Sequence, residues 1–170
     1  MSAVEPRASM STRGPVLIIG TGLLGTSLAL ALRAAGIEVQ LSDTSPTSLA
    51  LARDMGAGVP HDEDNPEPQI VVVAIPPDVT ADVVVAQLAA HPHAVVTDVA
   101  SVKERVVAEV RARAGAEARR YVGSHPMAGR ERSGAAAADS DLFAGRPWVV
   151  VGQDSASEAE LVIRNLAVDV

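Results

Sequence analysis

Two short stretches hold the side chains best suited to chemistry. Ser124-His125-Pro126-Met127-Ala128-Gly129 carries one of the chain's four histidines, and Thr97-Asp98-Val99-Ala100-Ser101-Val102-Lys103 carries a serine where a strand gives way to a helix. An imidazole with an ordinary pKa of about 6.5 takes up a proton at neutral pH, so His125 is the candidate general base. The other histidines are placed less favourably: His61 lies in an acidic loop, and His91 and His93 flank Pro92 in a connection. The simplest role for Ser101 is as a helix N-cap. A hydroxyl there could also bridge a substrate oxygen and the histidine. No nucleophile elbow surrounds it, so acyl transfer is not indicated. His61 beside Asp62 invites a metal, but no matching ligand cluster accompanies them and the chain has no cysteine. No metal is expected.

A base needs a partner reaction, and the stretch Val16–Leu32 points to one. Val16–Ile19 is a continuous apolar run of the kind buried on both faces of a parallel sheet. Gly20-Thr21-Gly22-Leu23-Leu24-Gly25 follows, and then Leu24, Leu28, Ala31, Leu32 and Ala35 recur at helical spacing before Gly36. Strand, G-x-G-x-x-G, helix is the context that makes this pattern a dinucleotide fingerprint. The first glycine permits the tight turn, the second lets the pyrophosphate approach the backbone, and the third lets helix and strand pack closely. A second strand, Ile37–Leu41, ends at Ser42-Asp43, and Asp43 lies 18 residues after Gly25. An acid there is placed for the adenosine ribose hydroxyls, although it could equally cap the next helix. No Arg or Lys occurs between Asp43 and Arg53, which favours NAD over NADP. The uncharged run from Gly14 to Leu32 also admits a transmembrane or signal-peptide reading, which its central Gly, Thr and Ser residues disfavour.

The remaining elements place these groups along one edge. Ser45-Pro46 reads as N-cap and first residue of a helix through Met55. Gly58–Gln69, with three prolines and four acids, reads as a solvated connection. Ile70–Ile75 is a buried strand halted at Pro76, so Ala74, Ile75 and Pro76 join the expected cofactor-binding set. A helix from about Asp78 to Ala90 and a strand Ala94–Asp98 follow. The next helix carries mixed charge from Lys103 to Arg120 and reads as a solvated face. A short strand at Tyr121–Gly123 leads into the histidine loop. Pro147–Val151 reads as one more strand, and Ser157 caps a last helix running to Val170. Met1–Arg13 reads as a disordered tail. The expected fold is α/β: a Rossmann-type, doubly wound, mostly parallel sheet with helices on both faces, over residues 14–170. Ligands then sit over the strand carboxyl ends, where Gly20, Asp43, Pro76 and Asp98 fall.

Composition narrows the classes. The net charge is −7, and the chain has one Phe, one Trp and one Tyr. Nucleic-acid binding needs a basic face or aromatic stacking platforms, so it is not expected. With no convincing signal peptide, a cytoplasmic protein without membrane contact is expected.

The two chemistry-bearing stretches, with Arg130-Glu131-Arg132-Ser133-Gly134 and Asp141–Trp148, resemble the prephenate dehydrogenases of tyrosine biosynthesis. The similarity runs in register from about Pro15 to Val151, and the HPMAG-x-E-x-SG string is its most specific part. The resemblance implies oxidative decarboxylation of prephenate to 4-hydroxyphenylpyruvate with NAD. His125 then takes the ring hydroxyl proton, Ser101 hydrogen-bonds the same region, and Glu131 shapes the substrate pocket. Ser124 and Arg130 join the expected substrate contacts, Arg130 standing where relatives often carry a small threonine-like residue. The family also has a C-terminal, mainly helical domain that supplies dimer contacts and an arginine for the substrate's side-chain carboxylate. Nothing in this chain matches it, so a truncated NAD-binding domain is expected, with a homodimer only for the full-length protein. Arogenate dehydrogenase, a β-hydroxyacid-type oxidoreductase and a non-catalytic NAD-sensing module are the alternatives.

Overall fold

The computed structural model of the protein describes residues 10–129, 131–152 and 157–170. Its first half alternates strand and helix: β1 (Val16–Ile19), α1 (Leu23–Ala34), β2 (Val39–Ser42), α2 (Pro46–Asp54), β3 (Val59–Pro60), β4 (Ile70–Val73), α3 (Pro77–Ala90) and β5 (Val95–Asp98). The second half adds α4 (Lys103–Ala114), β6 (Tyr121–Pro126), β7 (Trp148–Val151) and α5 (Glu158–Asp169). All seven strands form one sheet in the order β3-β2-β1-β4-β5-β6-β7, parallel throughout except for the antiparallel pair β6–β7.

Alternation along the buried strands builds a core on each face. Val16 and Ile18 pack with Leu28 and Leu32 of α1 and with Ile163 and Leu166 of α5. Leu17, one residue out of phase, packs on the other side with Val84 and Leu88 of α3 and Val106 and Val110 of α4. Burial on both sides is why β1, β4 and β5 read as unbroken apolar runs rather than alternating ones. The apolar stretch Gly14–Leu32 is accordingly split by the glycine turn into a strand and a 12-residue helix. Among the described residues no helix is long and apolar enough to cross a membrane.

Local signals hold where capping chemistry is explicit. The Ser45 hydroxyl accepts the Ser48 amide at 3.2 Å, and Ser157 accepts the Glu160 amide at 3.1 Å, starting α2 and α5 as their sequences imply. Four features differ from the sequence reading. The acidic connection contains a two-residue edge strand, β3, paired parallel to β2. The charged helix stops at Ala114, and the chain turns through Gly115–Arg120 as a 3-10 helix. β6 runs on through Ser124, His125 and Pro126 because β7 pairs with it there. At the amino end, residues 1–9 of the expected tail lie outside the described residues, whereas Thr12 is buried and donates its amide and hydroxyl to Asp169 of α5 at 2.7 and 2.6 Å.

Candidate active site

Strand register sets the site. Ile19 pairs with both Ser42 and Val73, and Val73 pairs with Asp98, so β2, β1, β4 and β5 end level. The chain winds to one side of β1 through β2 and to the other through β4, which opens a crevice at their carboxyl ends. Gly20 sits at its floor with φ +97°, and a Cβ there would lie 2.2 Å from the Ala74 carbonyl oxygen. No other residue fits that turn. Helix α1 begins next with Gly22 as N-cap and no side-chain cap. The first-turn amides therefore face the crevice with no carbonyl of their own helix to bond.

Asp43 closes the far wall. Its carboxylate accepts the Thr21 amide at 2.7 Å, the Thr21 hydroxyl at 2.8 Å and the Ser45 amide at 2.7 Å. Burial by itself raises the Asp43 pKa, but these donors outweigh it and hold the carboxyl below its usual range. The group is thus charged and fixed in direction, and it also holds the turn after β2. Thr21 does not line the crevice; it is wholly buried and positions Asp43. Gly20, Gly22, Asp43, Ala74, Ile75 and Pro76 line a cavity of about 580 Å³, joined by Thr44, Ser48, Val79 and Val83, which the sequence did not single out.

A second cavity of about 460 Å³ shares Gly22, Ala74, Ile75 and Pro76 with the first and adds Leu23, Leu24, Ser101, His125 and Arg132, among others. The structure therefore brings Ser101 and His125 to one chamber continuous with the glycine turn. Each arrives by a different route. Asp98 pairs with Gly123, so Ser124 and His125 extend beyond the level at which β5 ends, and Val149 of β7 supports His125. Neither the His125 ring nor the exposed Ser101 hydroxyl hydrogen-bonds a described residue. Ser101 is not the helix cap: Val102 occupies that position, without a side-chain cap.

A buried charge cluster lies under the Ser101 turn. Asp98 is wholly buried; it accepts the Ala100 amide at 3.0 Å and the Tyr121 hydroxyl at 2.7 Å, and it pairs with the Lys103 ammonium. Lys103 therefore does not belong to the solvated face of its helix. Burial lowers its pKa below the usual lysine range, and the charge of Asp98 only partly offsets that. Removing one member of such a pair leaves a charge buried without its counter-ion. Asp98→Asn is expected to cost about 3 kcal/mol in urea unfolding, and adding Lys103→Met is expected to recover part of it. Equal losses in the single and double variants would show that the two charges are not coupled.

Tyr121 gives a pH signature. Burial, then the Asp98 charge and hydrogen bond, raise its pKa far above the ordinary 10.0. The unfolded chain releases this proton above pH 10 and the folded chain does not. Stability is therefore full below that pH and falls as pH rises, by at most about 1.4 kcal/mol per unit. Lys103, with its lowered pKa, acts in the opposite direction below its ordinary 10.5, so the loss is to be read above that value. Because Tyr121 is the chain's one tyrosine, tyrosinate absorbance is expected to appear only together with unfolding. A signal titrating in the native chain near pH 10 would refute this.

Other expected site residues sit elsewhere. Adjacent strand residues face opposite sides, and Ser124 is wholly buried: its hydroxyl donates to the Asp98 carbonyl at 2.9 Å and lies 3.1 Å from the Thr97 hydroxyl. The substrate contact expected at Ser124 is thus corrected to a structural bond between β5 and β6. Glu131 is exposed and does not line the cavity, whereas Arg132, Ser133 and Gly134 do. Arg130 lies outside the described residues. His61 turns away from the site, its Nδ1 lying 2.7 Å from the Gln40 side-chain oxygen. Among the described residues no group of three or more acids and histidines is arranged to hold a metal ion.

A parallel sheet with a glycine turn, an uncapped helix start and an acid after β2 defines a Rossmann-type nucleotide-binding domain. The chain belongs to the family described as prephenate dehydrogenase, nucleotide-binding domain, which matches residues 28–167. It is 43% identical over 145 residues to the probable prephenate dehydrogenase NovF of Streptomyces niveus, covering 83% of this chain and 39% of that protein. It is 29% identical over 153 residues to the prephenate dehydrogenase of Lactococcus lactis subsp. cremoris, covering 86% and 43%. The chain thus spans about two fifths of the length of these curated relatives. Among solved structures, the prephenate dehydrogenase from A. aeolicus in complex with hydroxyphenyl propionate and NAD+ superposes with a TM-score of 0.81 at 27% identity, over 95% of this chain and 58% of that one.

Proposed function

We propose that this chain forms the NAD-binding and proton-accepting half of a prephenate dehydrogenase. One observation carries the proposal: the crevice built by the glycine turn and Asp43 shares the wall Gly22, Ala74, Ile75 and Pro76 with the chamber of Ser101 and His125. The residues present suit the nucleotide. A Cβ at Gly22 would meet nothing within 4 Å, so the space over the helix start is open to a pyrophosphate. Asp43 retains lone pairs for ribose hydroxyls, and Val79, Val83 and Ile75 provide an apolar wall for a base. The A. aeolicus relative, solved with NAD+, supports NAD as the nucleotide.

Bound NAD supplies the hydride acceptor for the hydroxyl-bearing ring carbon of prephenate. The chain's own residues do the rest. His125 accepts the hydroxyl proton as the carbonyl forms, and the free Ser101 hydroxyl orients the same oxygen. Loss of the ring carboxylate as carbon dioxide then aromatises the ring, its electron pair passing to the carbonyl oxygen, which takes back the proton held by His125 to give 4-hydroxyphenylpyruvate. Val99, Leu23 and Leu24 give the chamber an apolar wall against which the ring can pack. Arogenate differs from prephenate only in its side chain, remote from His125, and the same chemistry serves both. The names of the two curated relatives favour prephenate.

The test is a paired measurement on one preparation: NAD binding by titration, then NADH formation on adding prephenate or arogenate. Prephenate-dependent NADH with matching carbon dioxide release supports the proposal. NAD binding without turnover of either substrate favours a nucleotide-sensing module, and absence of NAD binding overturns both.

A further inference from the structure

We propose that Arg132 is a carboxylate anchor for the substrate, holding an anionic group of the molecule whose hydroxyl faces His125. The inference rests on the substrate class proposed above. Arg132 is the one charged residue among the described residues lining the His125 chamber; the rest of the wall is apolar apart from Ser101, Ser133 and His125 itself. Its guanidinium makes no ion pair or hydrogen bond with any described residue; Arg13, Arg33, Arg111, Arg119 and Arg146 are likewise unpaired among the described residues, but Arg132 is the one arginine among them on the wall of this chamber. A free cation at an apolar chamber on a chain of net charge −7 is arranged for an anion that arrives from outside.

The loop that carries Arg132 is anchored at both ends. On one side, the Met127 amide donates to the Pro147 carbonyl at 2.8 Å, where β6 leaves the sheet. On the other, Ala135 is buried, the Asp139 amide donates to the Ser27 hydroxyl of α1 at 3.0 Å, and Leu142 and Phe143 enter the core. Between these anchors Arg132, Ser133 and Gly134 lie on the chamber wall. Prephenate carries its hydroxyl and its two carboxylates at opposite ends of the ring. A base holding one end and a guanidinium holding the other would fix the ring carbon that gives up hydride. The start of α1 borders the same chamber through Gly22, Leu23 and Leu24, so a nucleotide phosphate is the competing anion, and the binding of NADH itself separates the two. Both the ring carboxylate and the side-chain carboxylate satisfy the chemistry.

The test is equilibrium binding to the NADH-loaded protein, in which prephenate is not oxidised. Three probes are compared: prephenate, with two carboxylates; 4-hydroxyphenylpyruvate, with the side-chain carboxylate only; and 4-hydroxyphenylacetone, with none. Arg132→Gln is expected to weaken prephenate about tenfold while leaving the neutral ketone and NADH within about twofold, and Arg132→Lys is expected to recover part of the loss. Parallel weakening of 4-hydroxyphenylpyruvate places the side-chain carboxylate on Arg132; weakening of prephenate alone places the ring carboxylate there. Equal losses for all three probes, no loss for any, or a loss confined to NADH would overturn the assignment while leaving the substrate proposal standing. Wild-type protein that binds NADH but not prephenate would overturn that proposal and this one with it.

Discussion

With His125 replaced by Asn, prephenate-dependent NADH formation is expected to fall about 10²–10⁴-fold while NAD affinity stays within about threefold. The magnitude follows from the composition of the chamber. Its described walls are made of Gly, Leu, Ala, Ile, Pro, Val, Ser, His and Arg residues. Of these, imidazole alone takes up a proton near neutral pH, since a guanidinium stays charged and a serine hydroxyl is far too weak a base. Asn keeps the shape and one hydrogen-bonding atom but cannot accept the proton. Because His125 is half-buried and bonds no described residue, the substitution leaves no partner stranded and the fold should be unchanged. Ser101→Ala, which removes an orienting hydroxyl rather than the base, is expected to cost roughly tenfold. Undiminished turnover by the His125 variant would sink the assignment of the base.

Gly22→Ala and Gly25→Ala, three residues apart, are expected to fail in opposite ways. A Cβ at Gly25 would stand 1.9 Å from the Gly20 carbonyl oxygen, so the helix must move off the strand. That variant is expected to lose about 2–3 kcal/mol of stability and to lose NAD binding as the turn distorts. Gly22 has φ −78° and ψ −159°, which any residue can adopt. A methyl there meets nothing in the free protein, so stability should stay within about 0.5 kcal/mol. The same methyl projects where a pyrophosphate would approach the first-turn amides, and NAD affinity is expected to drop at least about tenfold. Urea unfolding and NAD titration of both variants separate packing from ligand clearance. NAD affinity unchanged in Gly22→Ala would move the pyrophosphate away from the start of α1.

The parts legible in the sequence were those written in neighbouring residues. The run Val16–Ile19, the glycine spacing and the helical period after Gly22 specify β1, the turn and α1, because burial on two faces, a tight turn and an amphipathic stripe each leave a local pattern. Ser45-Pro46 and Ser157 mark helix starts for the same reason. Asp43 was legible through its distance from the glycines. His125 and Ser101 were legible as residue types and, through resemblance, as a pair. Their meeting in one chamber was not written in either stretch. β3 escaped notice because two exposed residues, one of them proline, make no periodic signal.

What only the tertiary structure decided is what residues far apart do to one another. Ser124-His125-Pro126 reads locally as a loop and becomes strand because β7 returns antiparallel to pair with it. That pairing turns Ser124 into the sheet and leaves His125 over the chamber, a choice that one-residue alternation makes and that no local sequence signal predicts. Lys103 reads as one charge among many on a solvated helix, yet it folds onto Asp98, whose other oxygen is taken by Tyr121, 23 residues along the chain. Nothing near Arg132 in the sequence identifies it as a wall of the cavity. Composition and spacing determined the elements and the nucleotide-binding turn, since those depend on hydrogen bonds and burial within a few residues. Strand order and register determined the chamber of Ser101 and His125, since they alone bring the end of β5, the end of β6 and Arg132, Ser133 and Gly134 to one side of the glycine turn.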